Sequence, residues 1–204
     1  FLQKFEKQPT TSQVLLGKLR KDIKIYIERN HIDLVIMATK GTEGLKEVFI
    51  GSHAEKVVRH SPVPTLVIKK DIPDPAVIQN IAFAGDFENE LNTDIQPVLK
   101  LQELLGAKLH FIEICPPEKG QSCQELLDSM KRFAQAHEVK DAMFHVFESY
   151  NIIDGLEEFA QNNRIDLIAM GTHQRTGLKR WLKASIAEEV VNHAEEAVLT
   201  FHMD

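Results

Sequence analysis

The chain has 204 residues, of which 43% are hydrophobic and 26% charged, and 24 Lys and Arg against 30 Asp and Glu give a formal net charge of −6. That balance fits one or two globular domains, excludes a disordered or collagen-like chain, and argues against a general nucleic-acid binder, which needs a basic face. No apolar run approaches the roughly 20 residues that span a membrane. No signal peptide is legible, and Cys115 and Cys123 form neither a disulfide framework nor a C-x-x-C motif, so a cytoplasmic setting is expected.

Apolar spacing and turn residues predict the elements in chain order. Strand 11–16 precedes helix 22–30, which turns Ile23 and Ile27 inward. Strand 33–39, helix 52–60 and strand 65–69 follow, and then a linker carrying Pro73 and Pro75. Strand 80–88, helix 93–106, strand 108–114, helix 122–137, strand 142–148, helix 152–163, strand 166–172, helix 185–194 and strand 198–202 complete the chain. Such alternation predicts a parallel sheet covered by helices on both faces.

The chain also repeats itself at an offset of 133, with 14 identities in the 29 positions from Ile32 to His60. Ile32-Asp33-Leu34 recurs as Ile165-Asp166-Leu167, and Val57-Val58 as Val190-Val191. The unit is too long for a solenoid repeat, so it reads as a duplicated domain. The expected division is a partial unit at 1–70, a linker at 71–79 and a complete unit at 80–204. The first unit is shorter at its start by about 54 residues, and the chain begins at Phe1, which predicts a natural protein of roughly 260–280 residues.

Ligands of open α/β sheets bind beyond the carboxyl ends of the strands. In the first unit the loop there runs from Met37 and Ala38 through Gly41 and Gly44 to Gly51 and Ser52. Its glycines allow close backbone approach, and Ser52 opens a helix whose free N–H groups favour a phosphate. Ser52-x-x-Glu55 and Ser185-x-x-Glu188 equally satisfy a capping box, which needs no ligand.

The run Asp33-Leu34-Val35-Ile36-Met37-Ala38-Thr39-Lys40-Gly41-Thr42-Glu43-Gly44-Leu45-Lys46, with Gly51-Ser52 and Ala54-Glu55-Lys56-Val57-Val58-Arg59-His60-Ser61-Pro62-Val63-Pro64, resembles the universal stress protein family. The resemblance covers essentially the whole chain as one partial and one complete domain. It implies tandem flavodoxin-like, or adenine nucleotide α-hydrolase-like, five-stranded parallel sheets in the order 3-2-1-4-5. It also implies a regulatory stress-response role. Units of the family pair through their fifth strands, which here begin at Val63 and Ala197 and end at Ile68 and His202, within one chain or in a homo-oligomer. Some members bind ATP, with Mg²⁺ arriving only with the nucleotide.

The family's nucleotide loop reads Gly-x2-Gly-x9-Gly-Ser/Thr. Carried over, the first unit has Ala38, Gly41, Gly51 and Ser52, flanked by Met37 and His53, and only the first glycine has changed. The second unit has Gly171, Gln174, Ala184 and Ser185, with two glycines replaced. Asp86 matches the family's ribose-side aspartate in the second unit, and the first unit's counterpart lies before the start of the chain. Adenine nucleotide is therefore expected at the first loop, and a degenerate site in the second unit. The alternative is a pseudo-dimeric interaction module that binds no nucleotide.

No H-E-x-x-H or dense Cys/His cluster suggests a metal, no G-x-S-x-G elbow suggests a serine nucleophile, and no general base is evident beside the phosphates. No catalytic residue is nominated, and at most weak ATP hydrolysis is expected.

Overall fold

The structure, a computed structural model, describes residues 11–14, 16–17, 19–38, 52–68, 78–88, 93–120, 122–173 and 178–203. In chain order they form α1 (Leu19–Asn30), β1 (Val35–Ala38), α2 (Ser52–His60), β2 (Thr65–Ile68), β3 (Asn80–Ala84), α3 (Gln96–Leu105), β4 (Lys108–Cys115), a 3-10 turn (Pro117–Lys119), α4 (Cys123–Ala136), β5 (Ala142–Glu148), α5 (Ile152–Asn163), β6 (Leu167–His173), α6 (Leu178–His193) and β7 (Ala197–Met203). The strands share one sheet in the order β1-β2-β7-β6-β3-β4-β5. Neighbours are parallel except β2 and β7, which run antiparallel with Thr65 opposite Thr200, Leu66 opposite Leu199 and Val67 opposite Val198. Residues 80–204 thus supply β5-β4-β3-β6-β7, and β1 and β2 extend the sheet beyond β7.

Both faces of the central strands are covered, so their sequences are apolar throughout instead of alternating with polar residues. On β3, Ile81 and Phe83 face one layer and Ala82 and Ala84 the other. The first layer is dominated by rings. Phe83 meets Phe87 edge-on at 5.6 Å and Phe111 at 5.6 Å, while Phe87 stacks on Phe111 at 5.2 Å. Val98 from α3 and Met130 and Phe133 from α4 close that layer. The second layer sets Val58, Leu156, Phe159, Val190 and Val191 from α2, α5 and α6 against Val67, Ile112, Ile168 and Val198.

Local chemistry fixes several helix ends. Ser122 and Glu125 form a reciprocal capping box, with Glu125 N–H donating to Ser122 Oγ at 3.2 Å and Ser122 N–H to Glu125 Oε2 at 3.1 Å. Asn151 caps α5 by accepting the N–H of Ile153 at 2.8 Å. Gly106 ends α3 in the left-handed region at φ 64, where a side chain is disfavoured. Asp166 accepts the N–H groups of Gln79 and Asn80 at 2.8 and 3.0 Å. The aspartate of the repeated Ile-Asp-Leu motif therefore ties down the start of β3.

Several elements differ from expectation, and two differ in bounds alone: α1 starts at Leu19 instead of residue 22, and β3 ends at Ala84 instead of residue 88. Residues 11–14 and 16 form no strand, and Val14 and Leu16 are 85% and 95% exposed. No strand of the described residues lies beside them, so their backbone groups have no ladder to join. Helix α3 starts at Gln96 instead of residue 93, because the Asp94 side chain accepts the Gln96 N–H at 2.9 Å just ahead of Pro97 in the first turn. Helix α6 starts at Leu178 instead of residue 185. Residues 178–184 contain neither Gly nor Pro, and Ala184, a strong helix former, stands where the sequence repeat has Gly51. Among the described residues no helix is long and apolar enough to cross a membrane.

Candidate functional site

The carboxyl ends of β3 and β6 lie side by side, with Ala84 opposite Met170 in the parallel register. The chain leaves β3 through Gly85, whose N–H donates to Ile112 O at 3.3 Å, and reaches the half-buried Asp86. Phe87 then turns back into the aromatic layer, so Asp86 sits at the sheet's carboxyl end with its neighbour anchored. Gly171 lies within β6, opposite Phe201 of β7, and is half-buried. Thr172 beside it is buried; its hydroxyl donates to Phe201 O at 3.2 Å and lies 2.9 Å from His202 Nδ1. Asp86 and Gly171 are thus brought to one end of the sheet.

Ser185 is not at a helix start. It lies in the interior of α6, as does Ala184, and their backbone N–H groups belong to the helical ladder. The first turn of α6 runs from Leu178. Gln174 lies outside the described residues.

The corresponding segment 37–53 differs at this point. β1 ends at Met37 and Ala38, paired with Val67 and Ile68 of β2, with Met37 half-buried and Ala38 exposed. α2 runs from Ser52, so Ser52 and His53 occupy its first turn. Ala54, Val57 and Val58 hold that helix against the sheet. Gly41 and Gly51 lie outside the described residues.

The structure adds polar groups that the motifs did not nominate. Glu113 is buried within β4, on the same strand face as Phe111 and Cys115. An acid inside the run Phe111-Ile112-Glu113-Ile114 was the available signal. His110 and His145 meet on adjacent strands with ring nitrogens 3.1 Å apart. Burial lowers the pKa of both, and His110 is lowered further by His145 and Lys108. Arg59 of α2 pairs with Glu188 of α6, which raises the guanidinium pKa against the opposing effect of burial. Among the described residues no group of three or more His, Cys, Asp or Glu converges to hold a metal.

A model described as the universal stress protein family matches residues 1–69 and 79–202. The universal stress protein E homolog of Haemophilus influenzae is 25% identical over 189 residues, covering 81% of this chain and 60% of that protein. A Synechocystis universal stress protein is 22% identical over 178 residues, covering 85% of this chain and 59% of that protein. The chain spans about 60% of the length of these curated relatives. A functionally unknown protein from Pseudomonas aeruginosa has a TM-score of 0.74 at 21% identity, covering 100% of this chain and 75% of that one. A universal stress protein structure from Archaeoglobus fulgidus has a TM-score of 0.70 at 20% identity, covering 90% of this chain and 66% of that one. These structural likenesses concern the fold alone.

Proposed function

The chain belongs to the universal stress protein family, and from that premise we propose that it is a cytoplasmic regulatory protein of the stress response, built from two paired units and binding an adenine nucleotide, ATP, in the first. Met37, Ala38, Gly41, Gly51, Ser52 and His53 would form the site, with Mg²⁺ carried in on the nucleotide. Asp86, Gly171, Gln174, Ala184 and Ser185 would form the degenerate counterpart in the second unit.

The observation that carries the choice of unit is the start of the two helices. α2 runs from Ser52, the residue after Gly51 in sequence, so Ser52 stands in its first turn. α6 begins at Leu178 and absorbs Ala184 and Ser185 into its interior. A phosphate needs free donors and a close backbone, and only the first arrangement offers the serine at a helix start. The two-unit reading is supported by the β2–β7 register, because Leu66 faces Leu199 and these positions are 133 apart, the offset of the sequence repeat.

Thermal melting of the natural protein with and without ATP and Mg²⁺ tests the proposal. Saturating nucleotide raises the midpoint if the site binds, since a ligand selective for the folded state stabilises it. An unchanged midpoint, together with no nucleotide carried through purification, favours the second reading. That reading, an interaction module without nucleotide, draws on the antiparallel β2–β7 pairing, which unites the units without either loop.

A further inference from the structure

The β2–β7 seam is flanked by helices α2 and α6. The repeat offset relates Glu55 to Glu188, Arg59 to Asn192 and Lys56 to Glu189. With Leu66 facing its own counterpart Leu199, the local two-fold relation passes between these leucines. Arg59 is not matched across it. Its Nε donates to Glu188 Oε1 at 2.7 Å and its Nη2 to Glu188 Oε2 at 2.5 Å, and Nη2 also reaches Glu55 Oε1 at 3.4 Å. One guanidinium therefore binds both members of a symmetry-related pair of carboxylates, while its own mate, Asn192, is neutral.

The strand edges are sorted in the same sense. Thr65 faces Thr200 and Val67 faces Val198, all four against the α2 and α6 layer or buried beside it. Two second units joined in this way would instead place Thr200 opposite Val198 twice. They would also bring together two copies of Glu188 and Glu189 with no cation at position 192. Unneutralised like charges at a closed seam oppose assembly and so discriminate between partners.

We infer that Arg59 is the selectivity residue of this seam: the β7 face of the second unit accepts an unlike unit that supplies the cation, and rejects a second copy of itself. This rests on the two-unit reading above and is independent of nucleotide binding. Exposed ion pairs contribute little in general, but this one is bidentate and Glu188 is largely shielded, at 17% side-chain exposure.

Thermal melts of the full chain carrying Arg59→Asn, Arg59→Glu, or Arg59→Asn with Asn192→Arg test the inference. Arg59→Asn is expected to lower the midpoint by about 2–4 °C. Arg59→Glu, which recreates the acidic seam of like units, is expected to lower it further, and the difference between the two should close in about 1 M salt. The transposed arginine should restore the midpoint, because the two-fold relation places it beside the same two carboxylates. Arg59→Glu no worse than Arg59→Asn would overturn the inference and leave the two-unit reading standing. A loss that Asn192→Arg fails to restore would overturn both.

Discussion

Nδ1 of His110 lies 3.1 Å from Nε2 of His145 on the neighbouring strand, and the two rings stack with centroids 5.2 Å apart. His110 Nε2 also lies 3.4 Å from Asn80 Oδ1, and His145 packs on Phe159 with centroids 5.0 Å apart. A single proton suffices for the contact between the rings, one nitrogen donating and the other accepting. Protonation of both rings would set two donors and two like charges face to face in a largely apolar layer.

This pair predicts acid sensitivity. Both pKa values are lowered, first by burial, so the folded protein binds fewer protons than the unfolded chain below the ordinary histidine value of about 6.5. The pair makes no pH-dependent change well above that value. As pH falls below it, the unfolded chain gains protons first and stability declines toward the depressed folded values. The urea midpoint should drop between about pH 7.5 and pH 5.5, and His145→Gln should weaken the dependence. An undiminished slope in that variant would remove the pair as its source.

Phe83 should be among the most costly core residues to truncate. It is 1% exposed and its ring lies within 6.1 Å of those of Phe87, Phe111, Phe133 and Phe201. Phe83→Ala should lower stability by about 3–5 kcal/mol, measured by urea unfolding. A loss near 1 kcal/mol would mean that the layer collapses to fill the space.

Gly155 reverses the usual helix preference. Replacing glycine by alanine inside a helix commonly stabilises by about 1 kcal/mol. A Cβ at Gly155 would come 2.6 Å from Ser149 Cβ and 3.1 Å from Ile114 Cγ2. Gly155→Ala should therefore lower the thermal midpoint, and a rise would show that the segment before α5 yields.

Much of the fold was legible because single elements carry their own signals. Residues 142–148 and 152–163 are bounded by turn and cap residues, and β5 and α5 fall on those bounds. The start of α6 was not legible from the capping box at Ser185, because a box is only a boundary when the preceding residues resist helix, and residues 178–184 do not. Residues 11–16 have strand-like composition, but a strand also needs a neighbour, which no local pattern reveals. The same limit hid the long-range polar pairs. His110 meets His145 only once β4 and β5 are in register, and Arg59 meets Glu188 across 129 residues of sequence. Asp86 and Gly171 were nominated from motif positions, and their shared end of the sheet follows from the pairing of β3 with β6.

Calorimetric titration of ATP with Mg²⁺ into the natural protein and into its Gly51→Val and Ser185→Val variants tests the central claim most directly. The account predicts one binding event per chain, abolished by Gly51→Val and retained in Ser185→Val. Heat that survives Gly51→Val, or no heat in the unaltered protein, would contradict it.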